Sequence, residues 1–385
     1  MRDNPFPAHS YESMALYPVY QTFLRRVVLI LSLVAFTVAA DHLLAAVTDT
    51  NATVSTTGSC GDSFCKALSE KIIAHSSNPA SVSGVDGWVF FPKELNHLAG
   101  DPTPFLAPNP GNPVPAIVDF KNQLSTAGID LLVVPVPPKV VIYPEKLTPD
   151  CPVPPTLPPA YDSVDRAFCR ELTAQGVHVL DLGDVFMKAR GVSGQAPLYC
   201  RTDTHWSPSG IEIASREIIN AVGNPPWMQG LKTPGWSTLT FSNSFTGDLA
   251  ASPNDKASTE TVVLKTLAKP GDLPEQLPSV SRQSPIVLLG DSHNLVFHSG
   301  GDMHAVGAGL PDLLAEGFGM TVDLVAVRGS GATAARWNLA RRHDNLAGKK
   351  LVIWCFTARD FTEAGHWDKV PVIRGQGTGH PQPTP

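Results

Sequence analysis

Short apolar runs alternate along the chain with longer amphipathic stretches, and this alternation predicts a series of strands and helices. Asp130–Val136 is an almost continuous apolar run, as expected for a strand that is buried on both faces. Residues 114–127 have helical periodicity and are predicted to form a helix. A second helix is expected to begin at Ser207, an N-cap residue type, with Pro208 at its first position, and to run to about Val222. A turn that enters a strand is predicted at 84–91, and further strands at 177–182, 285–289, 321–327 and 350–356. Further helices are predicted at 160–175, 309–317 and 332–343. Strands that alternate with helices predict an α/β fold with a mainly parallel sheet.

The carboxyl ends of these strands are where functional groups are expected, because open parallel sheets bind their ligands at that edge. Ser292 follows the predicted strand 285–289, and Gly329 follows the predicted strand 321–327. The intervening stretch 224–284 is rich in Pro, Ser, Thr and Gly and is predicted to be irregular, with short strands at most.

The first fifty residues have the pattern of a targeting signal. Arg25 and Arg26 precede the apolar run Val27–Ala40, which has no charge before Asp41. A basic flank and an apolar core of this length fit either a cleaved signal peptide or an uncleaved signal anchor, and both place the later residues across the membrane. The predicted segments are a cytoplasmic part at 1–26, the signal at 27–47, a linker at 48–79, one domain at 80–370 and a disordered tail at 371–385.

Composition narrows the class of partner. Lys and Arg number 29 against 35 Asp and Glu, which gives a net charge of −6, whereas proteins that bind nucleic acids usually carry a basic excess. The sequence has no Cys/His spacing typical of zinc, and neither a metal nor another cofactor is expected. The six cysteines suit an oxidising compartment, with Cys60–Cys65 and Cys151–Cys169 as candidate bridges, although connectivity does not follow from sequence.

The triplet Gly-Asp-Ser occurs twice, and its surroundings decide which copy is the better candidate for chemistry. Gly61–Ser63 follows no predicted strand and is interpreted as part of a small disulfide loop. Gly290–Ser292 directly follows a predicted strand, where a glycine permits a sharp turn and a serine hydroxyl can project into a crevice. The alternative for this second copy is a turn without chemistry.

Asp203 and His205 are the groups that a serine needs to become a nucleophile. In an extended segment residues i and i+2 point to the same side, so the carboxylate can orient the imidazole. The imidazole can then take the serine proton, as in Ser-His-Asp triads. Two alternatives stay open: a turn in which Asp203 binds local backbone, and a metal site formed together with His293.

The motifs together resemble a known family. The string Arg201–Trp206 (Arg-Thr-Asp-Thr-His-Trp) and the later Gly290–Ser292 are similar to the periplasmic alginate O-acetyltransferase family, whose members have an SGNH-hydrolase-like domain. Further matches lie at 84–90 and 134–144, and the resemblance covers roughly residues 80–360. In that family the Asp-x-His pair precedes the serine, the reverse of ordinary SGNH hydrolases, and this chain has the same order.

The resemblance implies a role for each of these residues. Ser292 is the nucleophile that becomes acetylated, His205 is the general base and then the general acid, and Asp203 holds the tautomer of the imidazole. The amide of Ser292 and a second donor stabilise the oxyanion. Candidates for the second donor and for substrate or groove contacts are Gly329, Gly331, Asn294, Arg359, Lys139 and Tyr143, with loop packing as the alternative for the last two.

The resemblance also implies a fold and a function. The fold is the SGNH-hydrolase-like arrangement of three layers, and the function is O-acetylation of a bacterial exopolysaccharide such as alginate. The expected partners are the polysaccharide acceptor and a membrane-bound O-acyltransferase that supplies acetyl groups, with the protein in the periplasm and tethered to the inner membrane. Two other functions stay open: a carbohydrate acetyl esterase with the same triad, and a non-catalytic polysaccharide-binding or assembly protein.

Overall fold

A computed structural model describes most of the chain from Ser59 onwards. The described residues are 59–74, 80–151, 156–159, 161–231, 236–251, 258–268 and 279–374. The segments predicted as a cytoplasmic part and a signal, 1–26 and 27–47, lie outside the described residues, as does the tail from 375 onwards. Within the described ranges, no helix has both the length and the apolar character needed to cross a bilayer.

Nine strands and twelve α-helices, besides three short 3-10 helices, are formed by the described residues. The strands are β1 (Val82–Ser83), β2 (Val89–Phe90), β3 (Asp130–Val136), β4 (His178–Val179), β5 (Ser237–Thr246), β6 (Thr259–Ala268), β7 (Ile286–Gly290), β8 (Asp323–Ala326) and β9 (Leu351–Thr357). The helices are α1 (Ser59–Ala74), α2 (Pro92–Ala99), α3 (Thr103–Leu106), α4 (Val114–Thr126), α5 (Lys139–Ile142), α6 (Pro144–Leu147), α7 (Ser163–Ala174), α8 (Gly183–Arg190), α9 (Pro208–Val222), α10 (Leu310–Phe318), α11 (Thr333–Ala340) and α12 (Asp360–Glu363).

The centre of the fold is a five-stranded sheet in the order β4-β3-β9-β7-β8, in which every neighbouring pair is parallel. β3, β7 and β9 are buried along nearly their whole length. Parallel strands need crossover connections, and helices on both faces provide them here. The predicted α/β fold with a mainly parallel sheet is therefore confirmed.

Alternate residues of the central strands contact two separate hydrophobic cores. Leu132 and Leu288 belong to the core on one face of the sheet, whereas Val133 and Leu289 belong to the core on the other. The first core is covered by α1, α2, α5, α8, α9 and α10, and the second by α4, α7 and α11. The described residues therefore form three layers, helix–sheet–helix, as the resemblance implies.

The sequence predictions are wrong in two regions. The stretch predicted to be irregular contains β5 and β6, ten residues each, paired antiparallel as a long hairpin. The predicted disulfide loop around Gly61 lies in helix α1, which is also within the stretch predicted as a linker. Phe64 and Leu68 of α1 are buried in the core, so apolar packing orders this segment. Cys65 and Cys169 are free, so both candidate bridges are wrong.

Four chain segments leave the sheet at its carboxyl edge and come together there. β3 leads into Lys139, β7 into Ser292, β8 into Gly329 and β9 into Arg359. The N-terminus of α9 approaches the same edge, and its N-cap prediction is confirmed because the Ser207 hydroxyl accepts from the amide of Gly210 at 3.3 Å. This convergence places polar groups from distant parts of the sequence in one cleft.

Candidate active site

Ser292 begins a short 3-10 turn two residues after β7 ends. The side chain of Asp291 fixes this turn, because one carboxylate oxygen accepts from the amide of His293 at 2.8 Å and the other from the amide of Thr357 at 2.7 Å. Thr357 is the last residue of β9, so the turn is tied to the neighbouring strand. Ser292 is 8% exposed and keeps its hydroxyl at the surface of a cleft.

His205 joins the serine to a buried carboxylate. The Ser292 Oγ lies 2.8 Å from His205 Nε2, and His205 Nδ1 lies 2.6 Å from Asp203 Oδ1. The segment is bent rather than extended, and Asp203 Oδ1 also accepts from the amide of His205 at 3.0 Å. The local turn and the carboxylate–imidazole contact are thus made by the same oxygen. The hydrogen bonds form the order Asp203–His205–Ser292 that a serine nucleophile requires.

Charge stabilises this arrangement. Burial opposes ionisation of Asp203, but hydrogen bonds and positive charge from His205 and His304 outweigh it and hold the pKa of its carboxyl well below the usual value. Burial likewise disfavours the imidazolium of His205, yet the hydrogen bond and charge of Asp203, followed by the charges of Asp248 and Asp291, raise the pKa of His205 above its ordinary value. An ionised carboxylate can only accept, so the imidazole Nδ1 of His205 donates and Nε2 faces the serine.

Lys139 holds the backbone of the Asp203 loop from inside the protein. Its side chain is completely buried, and its Nζ donates to the carbonyl oxygens of Cys200 at 3.1 Å and Asp203 at 2.7 Å. The Nζ also lies 5.9 Å from the ring of Trp88 and 5.4 Å from the ring of Phe90. Lys139 therefore positions the loop and is not among the residues that line the cleft.

The β5–β6 hairpin supports the same loop from the other side. The carboxylate of Glu260, on β6, accepts from the amides of Arg201 and Thr202, each at 2.6 Å. The carboxylate of Asp248, just after β5, accepts from the amide of Thr204 at 2.7 Å, while its own amide donates to Asp203 Oδ2 at 2.9 Å. The hairpin that the sequence does not predict is thus part of the framework of the site.

The cleft at Ser292 has a volume of about 560 Å³, which is within the usual range for small-molecule sites. Ser292 and His205 lie in its wall, together with apolar and charged side chains. The charged residues that line it are Lys93, Asp248, Arg328, Arg359, Asp360 and Glu363. A cleft with this mixed lining suits a polar ligand.

The predicted oxyanion and substrate residues are only partly brought together. Gly329 and Arg359 line the cleft. The amide of Gly331 is already engaged, because it donates to Asp360 at 2.8 Å. Asn294 is completely buried, with its amide nitrogen 2.8 Å from the carbonyl oxygen of Cys355, and it does not line the cleft.

Tyr143, predicted to line the groove, instead packs among the loops behind the site. Its hydroxyl accepts from the amide of Leu198 at 2.8 Å, and its ring lies 4.7 Å from Trp88 and 4.3 Å from the guanidinium of Arg190. It is 7% exposed and is not a cleft residue. Loop packing, the alternative for Tyr143 and Lys139, describes both placements.

Among the described residues, the side chains that lie close enough together to hold a metal ion do not include His293. Its Nδ1 lies 3.2 Å from Asp291 Oδ1, and its ring packs at 4.9 Å from the ring of His205. Burial disfavours the imidazolium and lowers the pKa of His293 below its ordinary value, against the charge of Asp291. His293 is therefore a packing partner of the site.

Sequence reasoning missed His304 and Asp248. His304 Nε2 lies 2.8 Å from Asp203 Oδ2, although the two residues are 101 positions apart. The signal that points towards it is weak: a histidine follows three residues after the Gly300–Gly301 pair. A single histidine on a glycine-rich turn does not indicate a distant partner, so only the fold reveals the contact.

Comparison with known proteins agrees with this fold. A family described as "SGNH hydrolase-like domain, acetyltransferase AlgX" matches residues 82–358. The O-acetyltransferase domain of Pseudomonas putida AlgJ is structurally similar with a TM-score of 0.55, 20% sequence identity and coverage of 74% of this chain and 93% of that one. Pseudomonas aeruginosa AlgX is similar with a TM-score of 0.52, 19% identity and coverage of 76% of this chain and 66% of that one. These two likenesses show a shared fold.

A curated relative is similar over a shorter stretch. The probable alginate O-acetylase AlgJ of Pseudomonas aeruginosa is 27% identical over 144 residues, which is 37% of this chain and 33% of that protein. The matched part thus spans about a third of the length of this relative.

Proposed function

The chain belongs to the SGNH hydrolase-like AlgX acetyltransferase family, and on this premise we propose that it is an O-acetyltransferase that forms an acetyl-enzyme on Ser292. The observation that carries the proposal is the continuous set of hydrogen bonds from Asp203 through His205 to Ser292, at 2.6 Å and 2.8 Å, in the wall of a cleft. Hydrogen bonds that only stabilise the fold do not require a serine hydroxyl at the surface of a cleft, whereas activation of a nucleophile does.

The reaction has two acyl-transfer steps. The Oγ of Ser292 attacks the carbonyl carbon of an acetyl donor while His205 Nε2 takes the hydroxyl proton. The tetrahedral intermediate collapses, the bond to the leaving oxygen breaks, and His205 returns the proton to that oxygen. In the second step an acceptor hydroxyl gives its proton to His205 and attacks the acetyl carbon. Collapse then releases the acetylated acceptor and restores the hydroxyl of Ser292 with the proton from His205.

The oxyanion of each intermediate needs fixed donors. The first donor that we propose is the backbone amide of Ser292, because Ser292 is the first residue of the 3-10 turn. Gly329 is the second donor that we propose, because it lines the cleft at the end of β8. Gly331, the other candidate of the same loop, already donates to Asp360.

The acceptor that we propose is a hydroxyl of an alginate-like bacterial exopolysaccharide. The substrate class is taken from the Pseudomonas aeruginosa relative, which is named a probable alginate O-acetylase. Arg359 lines the cleft and supplies a cation for a carboxylated sugar. The Arg359 guanidinium is fixed by the Thr357 hydroxyl at 2.9 Å, by Glu94 at 3.4 Å and by the Phe91 ring at 5.0 Å. A guanidinium held in this way suits recognition of a carboxylate.

The N-terminal sequence supports a cellular arrangement that we also propose. We propose that residues 80–370, together with helix α1 that packs into the first core, form the acetyltransferase domain in the periplasm. The segment 27–47 exports or anchors it in this proposal, because a basic flank precedes an apolar run there. A membrane-bound O-acyltransferase is the proposed supplier of acetyl groups on the same side of the membrane.

The first test is covalent labelling. The purified chain is mixed with p-nitrophenyl acetate, and the mass of the intact protein is followed for an added acetyl group. Labelling is expected in the wild type and lost in Ser292→Ala. Ser284→Ala is the matched control, since Ser284 is also buried and lies before the other end of β7. Equal labelling of Ser292→Ala and the wild type would refute the assignment.

The second test separates transfer from hydrolysis. Polymannuronate is added to the acetylated protein, and acetyl ester on the polymer is compared with free acetate. Acetyl on the polymer supports the transferase, and acetate alone supports the acetyl esterase with the same triad. Polymer binding without any acetyl turnover in the wild type supports a binding or assembly protein.

A further inference from the structure

A second histidine contacts the carboxylate of Asp203. His304 lies in a glycine-rich segment between β7 and α10, and its Nε2 is 2.8 Å from Asp203 Oδ2. The side chain of His304 is only 8% exposed, and that of Asp203 is completely buried. Asp203 therefore lies between two imidazoles, one on each carboxylate oxygen.

Every direction around the carboxylate is occupied by a donor. Oδ1 accepts from the amide and Nδ1 of His205, and Oδ2 accepts from the amide of Asp248 and from His304. An ionised carboxylate offers about four acceptor sites, so these donors fill them. Three of the four donors come from the turn and the hairpin described above, and His304 is the one donor that reaches Asp203 from the segment after Ser292.

The backbone at His304 is strained in a way that aims its side chain. Its φ is 73° and its ψ is −42°, and the amide of Ala305 donates to the carbonyl oxygen of Met303 at 2.9 Å. These values describe a tight γ-turn with positive φ at its centre, a rare and unfavourable conformation for a residue with a side chain. Such strain persists only where the surrounding structure enforces it.

Several contacts enforce this conformation. The amide of Phe297 donates to the carbonyl oxygen of Met303 at 2.7 Å, and the amide of Gly300 donates to that of Ala305 at 2.8 Å. The side-chain amide of Asn243, on β5, donates to the carbonyl oxygen of His304 itself at 3.0 Å. The imidazole of His304 stacks on the ring of Phe245 with centroids 4.0 Å apart and planes 21° apart. The hairpin thus fixes both the backbone and the ring of His304.

From this geometry we infer that His304 is a positioning residue for acyl transfer, which holds Asp203 Oδ2 so that Oδ1 stays aligned with His205. The inference rests on the proposed function and assigns a further residue to the same site. A donor on Oδ2 also withdraws negative charge from the carboxylate, which limits how strongly Asp203 stabilises the imidazolium of His205.

The charged groups around His304 determine in which direction the loss of His304 shifts the protonation of His205. Asp203 contacts His304 directly, and His205 and the Asp248 amide bind the same carboxylate. Asp302, paired with Arg328, lies two residues before His304. Loss of the donor on Oδ2 makes the carboxylate more basic and the His205 imidazolium more stable. The acid limb of the pH–rate profile, below which His205 is protonated, then moves to higher pH.

A matched pair of variants isolates the donor. His304→Gln places an amide nitrogen close to the position of Nε2, whereas the side chain of His304→Asn is shorter by one methylene and does not reach Asp203. Both remove the ring stack on Phe245. Asn tolerates positive φ well. His304→Phe, which keeps the ring stack, takes the place of the Asn variant if that variant does not fold.

The expected results differ between the two. Single-turnover acetylation by p-nitrophenyl acetate falls roughly 10- to 100-fold in His304→Asn, as expected for a misplaced catalytic group, and the midpoint of its acid limb rises by about half a pH unit. His304→Gln stays within about threefold of the wild type. His298→Gln is the control, because His298 contacts Asp312 at 2.8 Å in the same segment and does not touch Asp203.

A measurement without turnover separates this inference from the proposed function. Histidine titration by NMR in a Ser292→Ala background reports His205 directly, and its midpoint is expected to rise in His304→Asn and to return in His304→Gln. An unchanged midpoint in His304→Asn overturns the role of His304 even if acetylation is confirmed. Failure of Ser292 labelling in the wild type instead overturns the proposed function and leaves the NMR result to decide about His304.

Discussion

The indole Nε1 of Trp206 donates to the carbonyl oxygen of His293 at 3.0 Å. Trp206 follows His205, and His293 follows Ser292, so this bond directly joins the two loops that carry the base and the serine. The Trp206 ring is completely buried and meets the ring of His293 edge-on, with centroids 5.4 Å apart. The 2.8 Å contact between His205 Nε2 and Ser292 Oγ therefore depends on the bond between Trp206 and His293 as well as on His205 and Ser292 themselves.

Trp206→Phe removes this bond while keeping an aromatic ring. The buried carbonyl oxygen of His293 then loses the indole donor, and the free energy of unfolding is expected to fall by about 1–3 kcal/mol. Because the loops are no longer joined, acetyl-enzyme formation is expected to fall by roughly tenfold or more. Urea unfolding and stopped-flow acetylation measure the two effects. A variant with wild-type acetylation would show that the loops are held by other contacts.

The pH dependence of acetylation reports the environment of His205. Burial favours the neutral ring, but Asp203 raises the pKa of His205 above the ordinary 6.5, so the acid limb of the wild type lies above that pH. Asp203→Asn removes the main raising cause, so His205 stays neutral to lower pH and the acid limb moves down. The rate on the plateau is expected to fall by about 10³- to 10⁴-fold, since Asn favours the wrong tautomer.

Single-turnover rates between pH 5 and 9 test this prediction. An acid limb that stays in place in Asp203→Asn would mean that a group other than His205 controls it. The opposite directions expected for Asp203→Asn and His304→Asn make the two variants controls for each other.

The sequence predicts the central sheet because burial leaves a simple pattern. Strands such as β3 and β7 are buried on both faces, so nearly every position is apolar. The helix α9 is predicted from its start because Ser207 and Pro208 are local signals that depend on no distant partner. The pairing of Asp203 with His205 and Ser292 follows from residue types and order once the family resemblance is recognised.

The supporting groups are not predictable in this way. Lys139, His304 and Glu260 act on the Asp203 loop through contacts that only the tertiary fold creates. The β5 strand, Ser237–Thr246, is made largely of Ser, Thr and Asn. Its apolar residues Leu239, Phe241 and Phe245 lie on one face, but of these three only Phe245 is buried, so the apolar signal of a half-buried strand is weak there.

Lys139→Met tests whether the buried ammonium holds the Asp203 loop. Its loss deprives the carbonyl oxygens of Cys200 and Asp203 of a donor, which is expected to lower the free energy of unfolding by about 1–3 kcal/mol and to slow acetylation of the folded protein. Lys349→Met is the matched control. Lys349 is also buried and donates to the carbonyl oxygen of Ser284 at 2.7 Å, at the opposite end of the sheet.

Both lysine variants are expected to lose stability, but only Lys139→Met is expected to lose acetylation once the folded fraction is taken into account. Thermal unfolding and acetyl labelling at a temperature where both variants are folded make the comparison. Equal acetylation by the two variants would assign Lys139 a purely structural role.

Asp360 makes stability depend on pH. Burial, followed by the charge of Asp291, raises the pKa of its carboxyl from 3.8 to about 7, against Arg359 and two hydrogen bonds. The folded state therefore binds this proton more tightly than the unfolded state, and the resulting stability is complete below about pH 4 and is lost as pH rises towards 7. Asp360→Asn cannot ionise, so its stability relative to the wild type is expected to increase between pH 4 and pH 8. Urea unfolding at pH 5 and pH 8 measures this difference, and a constant difference would contradict the assignment.

A glycine is needed at position 290 for a reason that differs from the predicted one. The sequence predicts a glycine that permits a sharp turn, whereas the structure places Gly290 at the end of β7, against β9. A Cβ at this position would lie 1.7 Å from the carbonyl oxygen of Cys355 and 2.4 Å from the side-chain nitrogen of Asn294. β7 and β9 would have to separate, two residues before Ser292.

Gly290→Ala is therefore expected to lower the free energy of unfolding by about 1–3 kcal/mol, the usual cost of overpacking, and to lower acetylation because Ser292 moves with the strand. Gly100→Ala is the control, since a Cβ there meets nothing closer than 3.4 Å. Its melting temperature is expected to equal or exceed that of the wild type. If Gly290→Ala melts and acetylates like the wild type, the close approach of β7 and β9 does not fix the position of Ser292. Asp291 then fixes it instead, through its bonds to the amides of His293 and Thr357.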